Sequence, residues 1–239
     1  MKMKMKKLST LCLAASTLIA TSTVMAWESA DGQHSTSASV ALSSDYMWRG
    51  YSQTDSEPAI SGSLDYGHAS GFYAGTWASN VDFSDSNNNQ AHIEIDAYAG
   101  FSNELGVTGI SYDLGVLRYM YPGTDSLDWN EYYASLSYSI FTAGIAYTDE
   151  IYGSDKDATY YSLGFGYDLP MNVALSANYG YYDDESADNN PTDYSIGLST
   201  EMVGFGLDLT YTDTDSDGEA LYGENIADGR LIFTVSKSL

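Results

Sequence analysis

The sequence predicts an all-β fold: a transmembrane antiparallel up-and-down β-barrel of about twelve strands, with short periplasmic turns and long extracellular loops. Three observations predict it. Hydropathy alternates with a period of two through most of the chain. The connections between the alternating segments are long and short by turns. The large apolar residues occupy the face that a barrel dissolved in water would turn inward.

The alternation is plain in three stretches. "AHIEIDAYAGF" sets Ile93, Ile95, Ala97, Ala99 and Phe101 on one face, with His92, Glu94, Asp96 and Tyr98 on the other. "TYYSLGFGYDL" sets Tyr161, Leu163, Phe165 and Tyr167 against Ser162, Gly164 and Gly166. "MVGFGLDLTYT" sets Val203, Phe205, Leu207, Leu209 and Tyr211 against Gly204, Gly206, Asp208 and Thr210. Successive side chains of a strand point to opposite faces, so each stretch is a strand with one apolar and one polar or tiny face. Strands of this kind fall at 37–46, 58–67, 71–81, 91–101, 107–118, 130–139, 141–149, 158–168, 171–181, 192–200, 203–212 and 228–238. Each has the length that crosses a bilayer with tilt. No segment sustains a helical period.

Short connections sit at "GHAS", "SNELG", "SIF", "LPM" and "STEM". Long polar ones sit at 47–57, 82–90, 119–129, 150–157, 182–191 and 213–227. They alternate strictly, which places every long loop at one end and both termini at the other. A soluble sandwich has no reason to do this. An outer-membrane barrel does, because its turns face the periplasm and its loops face outside. A water-soluble barrel also packs its large apolar residues inside. Here the small and polar face is the one that must close inward, and lipid is the medium for the other. Tyrosine pairs near strand ends (Tyr132 and Tyr133, Tyr160 and Tyr161, Tyr181 and Tyr182) read as interfacial girdles, with plain β-propensity as the blander account.

The N-terminus supports export. "MKMKMKK" holds four of the nine Lys and Arg, and a short apolar run follows to Val24-Met25-Ala26. A charged start, a short apolar run and small residues before the cut describe a secretory signal peptide over 1–26, cleaved after Ala26. Residues 27–36, "WESADGQHST", then form a short polar extension and 37–239 the barrel. Cys12 leaves with the signal, so no disulfide holds the exported chain. Past Ala26 the basic residues are Arg49, Arg118, Lys156, Arg230 and Lys237, against 33 Asp and Glu. That balance argues against nucleic acid as a partner. Closure of such a barrel needs no cofactor.

Among the inward residues, Asp45, Asp65, Glu94, Asp96, Asp113 and Asp208 are carboxylates. Buried carboxylates need water or partners, and bases are scarce, so these are expected to face water in a wet, cation-favouring lumen. The competing picture is a narrow packed barrel filled by Tyr98 and Trp77. Arg49 tops the first strand, where it either pairs with Asp45 or Glu94 at a constriction or pins the first long loop. Arg118 shares the apolar parity and either snorkels at the outer rim or turns inward at a bulge.

"DTDSDGEALYGE", Asp213 to Glu224, fits a calcium-loop pattern, with Asp213, Asp215, Asp217 and Glu224 as oxygen donors and Gly218 at the turn. Strand-like flanks and Ala220 argue against an EF-hand. Loose calcium binding by an acidic outer loop is weighed against a solvated acidic loop. Catalysis finds little support: His34, His68 and His92 lie apart without metal spacing. Spacing leaves open a Ser/His/Asp set assembled in space.

One stretch carries a family resemblance. Tyr46, Arg49 and Gly50, then Pro58, then Gly71, Tyr73, Gly75, Trp77, Ser79 and Val81 follow the order of a Tyr-x-x-Arg-Gly stretch, a proline and a Gly-x-Tyr-x-Gly-x-Trp-x-Ser-x-Val segment. This resembles the start of the Gcw_chp family, also called TorF-type porins, and the tail "GRLIFTVSKSL" resembles that family's last strand. The resemblance implies an exported outer-membrane barrel of porin type with no settled substrate. The chain departs from outer-membrane barrels by ending in Leu239 instead of an aromatic residue. The reading is then a porin-like channel of the bacterial outer membrane, for passive diffusion of small hydrophilic, cationic solutes. Lipid and lipopolysaccharide surround it, and periplasmic chaperones and barrel-assembly machinery deliver it. A non-conducting structural or surface-interaction barrel stands second and an outer-membrane enzyme third.

Overall fold

A computed structural model describes residues 27–85, 87–124, 126–185, 187 and 189–239. The leader assigned to 1–26 lies outside the described residues. A short strand β1 (Trp27–Glu28) leads into β2 (His34–Ser43). Two short strands follow, β3 (Met47–Trp48) and β4 (Tyr51–Ser52). Then come β5 (Ala59–His68), β6 (Phe72–Ser84), β7 (Gln90–Glu104), β8 (Ile110–Met120), β9 (Trp129–Tyr138) and β10 (Phe141–Thr148). The chain continues through β11 (Ala158–Leu169), β12 (Val173–Asp184), β13 (Thr192–Met202) and β14 (Phe205–Thr214). Two short helices, α1 (Ser216–Tyr222) and α2 (Glu224–Ala227), precede β15 (Arg230–Ser238).

Each barrel strand pairs antiparallel with the next, and β2 pairs with both β5 and β15. The sheet therefore closes on itself as a twelve-strand up-and-down barrel, with β1 as one extra strand paired to β2. Closure leaves no open edge in the barrel wall, so the strands satisfy one another's backbone groups, the condition for a sheet that faces lipid. The seam is finished by Ser44 N–H donating to the Phe233 carbonyl and Leu239 N–H to the Ala38 carbonyl, both 2.9 Å. Leu239 thus holds a backbone place in the barrel without being aromatic.

The first strand starts upstream of the expected 37–46. His34–Thr36 of the expected extension belong to it, and Asp45 and Tyr46 leave it to fold inward. The cross-strand partner decides this: His34 lies opposite His68, so β2 matches β5 residue for residue. No helix among the described residues is long and apolar enough to cross a membrane, which says nothing of strands. The helices α1 and α2 add to the expected elements, and both are too short to show a period in the sequence.

The faces follow the alternation. Leu64 and Leu231 are 63% and 64% exposed on the outside, while Glu94 and Asp96 are 1% and 4% exposed within. Large apolar residues outside and carboxylates inside invert the arrangement of a soluble barrel. Aromatic rings form two outer belts. Tyr132, Tyr147, Tyr161, Tyr181, Tyr194 and Tyr211 are exposed near the long-loop end. Phe72, Phe101, Tyr138, Phe141, Tyr167 and Phe205 are exposed near the turn end. Rings with one wet edge belong at the two interfaces of a bilayer. The pleat divides the tyrosine pairs, because neighbours on a strand face opposite ways. Tyr132, Tyr161 and Tyr181 join the outer belt, while Tyr160 and Tyr182 are buried inside and Tyr133 packs against that interior.

Arg118 holds the outer rim and meets Asp128 at 3.4 Å and Glu150 at 3.7 Å. At the opposite rim Lys237 Nζ donates to the Gly204 carbonyl at 2.6 Å and lies over the Phe205 ring. The Lys237 stem passes the Phe205 ring to reach its polar partner. His92 departs from strict alternation. A register shift between Asn80 and Phe83 displaces β6 against β7 there, and His92 is exposed instead of inward.

Candidate functional site

The main cluster of buried apolar residues lies inside the barrel, toward its long-loop end. The segment between β2 and β5 fills that space, and every residue from Asp45 to Thr54 is buried. β3 and β4 make a hairpin in which Met47 opposes Ser52 and Trp48 opposes Tyr51. Its two-residue turn is Arg49-Gly50, with φ of 46° and 88°. A turn with both residues at positive φ matches strand twist and usually wants glycine or asparagine, so Arg49 adopts an unusual backbone. Gly50 is required by space as well. A Cβ there would stand 2.9 Å from the Cβ atoms of Asp193 on β13 and Thr214 on β14.

The hairpin therefore starts at the β2–β5 side and ends against the far wall. Its root is held by Asp45, which accepts from Ser52 Oγ at 2.6 Å, Thr54 Oγ1 at 2.9 Å and Arg230 Nη1 at 3.0 Å. Gln53 N–H donates to the Tyr46 carbonyl at 2.7 Å, and Asp82 N–H to the Gln53 carbonyl at 2.8 Å.

Arg49 forms the tip. Its Nη2 donates to Glu131 Oε2 on β9. The guanidinium carbon sits 4.2 Å from the ring centres of Trp48 and Tyr160, and 4.9 Å from that of Tyr182. Burial works against the charge of Arg49 and Glu131 works for it; the balance raises Arg49 above its ordinary range. Trp48 contacts Tyr51, Tyr119, Trp129, Tyr152 and Tyr182 edge-on, and Tyr119 stacks on Trp129 at 4.2 Å. Tyr51 stacks on Tyr222 of α1 at 3.7 Å, and its hydroxyl meets that of Tyr152. Burial holds both of those hydroxyls protonated.

Most of the expected lumen carboxylates are matched by hydroxyls. Glu94 Oε1 accepts from Tyr46 at 3.1 Å. Asp113 Oδ1 accepts from Tyr73 at 2.6 Å. Half-buried Asp65 accepts from Tyr98 and from Ser63. Asp208 Oδ1 accepts from Thr210 at 2.8 Å. One oxygen each of Asp96 and Asp208 is buried without a hydrogen-bond partner. Asp45, Glu94, Asp96, Asp113 and Asp208 are buried here where open water was expected, and Asp65 is half-buried. The inward tyrosines supply the partners that bases could not, and the hairpin fills the interior toward the long-loop end. Arg49 does fold inward, but onto Glu131, because Asp45 is already held by Arg230. Trp77 and Tyr98 do fill inner space, with Trp77 against Tyr46 at 5.1 Å. A cavity of about 40 Å³ remains among Asp45, Tyr46, Trp77, Ser79 and Thr234, room for water.

The sequence reading does not name Glu131 or Asp193 among the inner residues, and it assigns Tyr160 and Tyr182 to the girdles; the structure gathers all four inside the barrel. Parity alone would find them, since Glu131 shares the inner face of its strand with Tyr133 and Ser135. Asp193 accepts from Tyr160 at 2.9 and 3.2 Å.

In the acidic outer loop two of the four candidate calcium donors have partners within the chain. Asp213 Oδ2 accepts from Tyr194 at 2.8 Å and Tyr211 at 2.7 Å. Asp215 caps α1, its Oδ1 accepting from Gly218 N–H at 3.1 Å. Asp217 lies in the first turn of α1 and Glu224 starts α2. His34 and His68, distant in sequence, lie 5.0 Å apart ring to ring at the turn end, and His34 Nδ1 meets Tyr66 OH at 2.7 Å. Among the described residues no three His, Cys, Asp or Glu gather as a metal site.

Comparison with solved structures places the fold. The KdgM porin is similar at a TM-score of 0.52 and 8% identity, over 85% of this chain and 97% of that one. The KdgM porin in complex with disordered oligogalacturonate gives a TM-score of 0.52 at 7% identity over the same shares. None of the curated proteins matches. A family model described as a bacterial protein of unknown function, Gcw_chp, matches residues 27–239.

Proposed function

The chain belongs to the Gcw_chp family, and we propose that it acts as a porin-like channel of the bacterial outer membrane, through which small hydrophilic, cationic solutes diffuse passively. The observation that carries this reading is the closed twelve-strand barrel with lipid-facing aromatic belts and an acidic interior narrowed by its own loop. Carboxylates along a polar lumen favour cations. A porin of similar fold is named in complex with oligogalacturonate, a polyanion by its chemistry. The acidic interior here opposes a solute of that kind. Export by a cleaved leader over 1–26, and contact with lipid and lipopolysaccharide, belong to the same proposal. A channel, and not an enzyme, is the activity that the barrel and its lining support.

One observation favours a second reading. The unbroken burial of Asp45–Thr54 fits a barrel that does not conduct and works through its outer loops. Single-channel recording of the refolded protein under a potassium chloride gradient separates the two. Open steps with a reversal potential favouring potassium support the channel. A silent bilayer, with insertion established by heat-modifiable gel mobility, supports the plugged barrel. Hydrolysis of lipid or peptide by the pure protein would instead revive the enzyme.

A further inference from the structure

The tip of the hairpin is a cation held in a box, and the box stands on the barrel wall. Tyr160 and Tyr182 face each other across β11 and β12, with ring centres 5.9 Å apart at 79°. Glu131 closes the third side from β9, accepting from Tyr119 at 3.4 Å. Asp193 lies behind Tyr160 at 2.9 Å. Two aromatic faces and a carboxylate converge on one point, the guanidinium of Arg49. Such convergence is the arrangement by which proteins bind ammonium and guanidinium groups.

The occupant is less firmly built than the box. The hairpin has two residue pairs, and a two-stranded hairpin of that size is marginal without support. Its turn puts Arg49 at φ 46°, a conformation with a steric cost for a residue with a side chain. The box sits on strands paired on both sides along the wall, whereas the hairpin has no strand neighbour of its own and is held by side-chain contacts: Asp45 at its root, the Trp48 and Tyr51 rings along it, and Arg49 at its tip.

We propose that the Tyr160, Tyr182 and Glu131 box is a binding site for guanidinium or ammonium groups of solutes, and that Arg49 is its tethered occupant, displaced when such a solute enters. The proposal deepens the channel reading and rests on it for its purpose: the site would select cations bearing these groups and free the hairpin as it does so. Trp48 moves with the hairpin, so the solute meets only the wall half of the present contacts. The tether gives Arg49 an effective concentration in the millimolar range, so an outside cation binds more weakly than the box alone would allow.

The test uses L-argininamide as probe and neutral L-citrulline as its control, titrated into the folded barrel by calorimetry and by tryptophan fluorescence. The wild type is expected to bind argininamide weakly, with a change in fluorescence, and not citrulline. Arg49→Gln, which empties the box of charge while keeping a donor near Glu131, should bind it roughly ten-fold tighter. Adding Glu131→Gln should reverse that gain. Equal affinity in the wild type and Arg49→Gln, or equal binding of citrulline, overturns the proposal. Should Arg49→Gln not fold, the wild-type comparison decides alone: no fluorescence or calorimetric difference between argininamide and citrulline overturns it. Conductance is read separately. Potassium current without argininamide binding removes the box and leaves the channel, whereas binding in a silent barrel removes the channel and leaves the box.

Discussion

Arg49 and Glu131 meet inside the barrel although they belong to opposite sides of it. Arg49 is carried by a loop rooted between β2 and β5, and Glu131 by β9; their side chains are 6% and 4% exposed. A charge taken out of water is tolerated only with a close partner, so each of these residues fixes the other. The pair therefore decides how far the hairpin reaches across the lumen.

Removing one partner should cost more than removing both. Arg49→Ala leaves Glu131 buried without its guanidinium and is expected to destabilise the barrel by about 3–5 kcal/mol. The double variant Arg49→Met with Glu131→Leu should recover most of that loss. Denaturant unfolding in detergent, followed by circular dichroism, reads both. Single variants as stable as the wild type would mean that the pair forms no fixed contact.

Selectivity should depend on Glu94 and Asp96, which lie two residues apart on the inner face of β7. Glu94→Gln with Asp96→Asn keeps size and removes charge. In a conducting state that brings ions past these buried carboxylates, losing their charge lowers the preference for potassium over chloride. The reversal potential under a potassium chloride gradient should move toward zero accordingly. An unchanged potential would put the filter elsewhere, with Glu131 and Asp193 next to be substituted.

The barrel is legible because its signal is repeated. Every strand states the same two-residue period, so an error in one, such as the start of β2, is corrected by its neighbours. The lipid-facing side is legible for the same reason. The interior is not, because it depends on a loop whose path no period describes. Nothing local says that Arg49 passes Asp45 and Glu94 to reach Glu131, eighty-two positions on. The inward tyrosines are half legible: Tyr160 and Tyr182 stand out as pairs with Tyr161 and Tyr181, yet the pleat forbids both members from facing lipid. At Asp213–Glu224 a capping aspartate and a calcium-ligating aspartate are the same residue in the same kind of sequence, so spacing alone leaves both readings open.

That stretch yields its own expectation. Asp215 is engaged as the cap of α1 and Asp213 by two tyrosine hydroxyls. Calcium binding through both would have to release those bonds, so calorimetry at millimolar calcium is expected to show no binding heat. Asp215→Ala should loosen the loop, costing about 0.5–2 kcal/mol locally, and should be seen as faster proteolysis after β14. A calcium-induced ordering of the loop would reverse this account.

Gly50 offers the sharpest test of whether the hairpin restricts the lumen. Its φ is 88°, and a Cβ would press on Asp193 and Thr214 at 2.9 Å. Gly50→Ala therefore combines backbone strain with a collision against the wall. Gly223 has φ 96°, but a Cβ added there would meet nothing within 4 Å, so Gly223→Ala carries the strain without the collision. Strain of this kind costs about 1–3 kcal/mol in either variant. The hairpin should withdraw only in Gly50→Ala, which is expected to raise single-channel conductance while Gly223→Ala leaves it at the wild-type level. If Gly50→Ala conducts no better than the wild type, the narrowest point lies below the hairpin. The hydroxyl chain of Asp113, Tyr73 and Tyr133, with contacts of 2.6 Å, then becomes the segment to open.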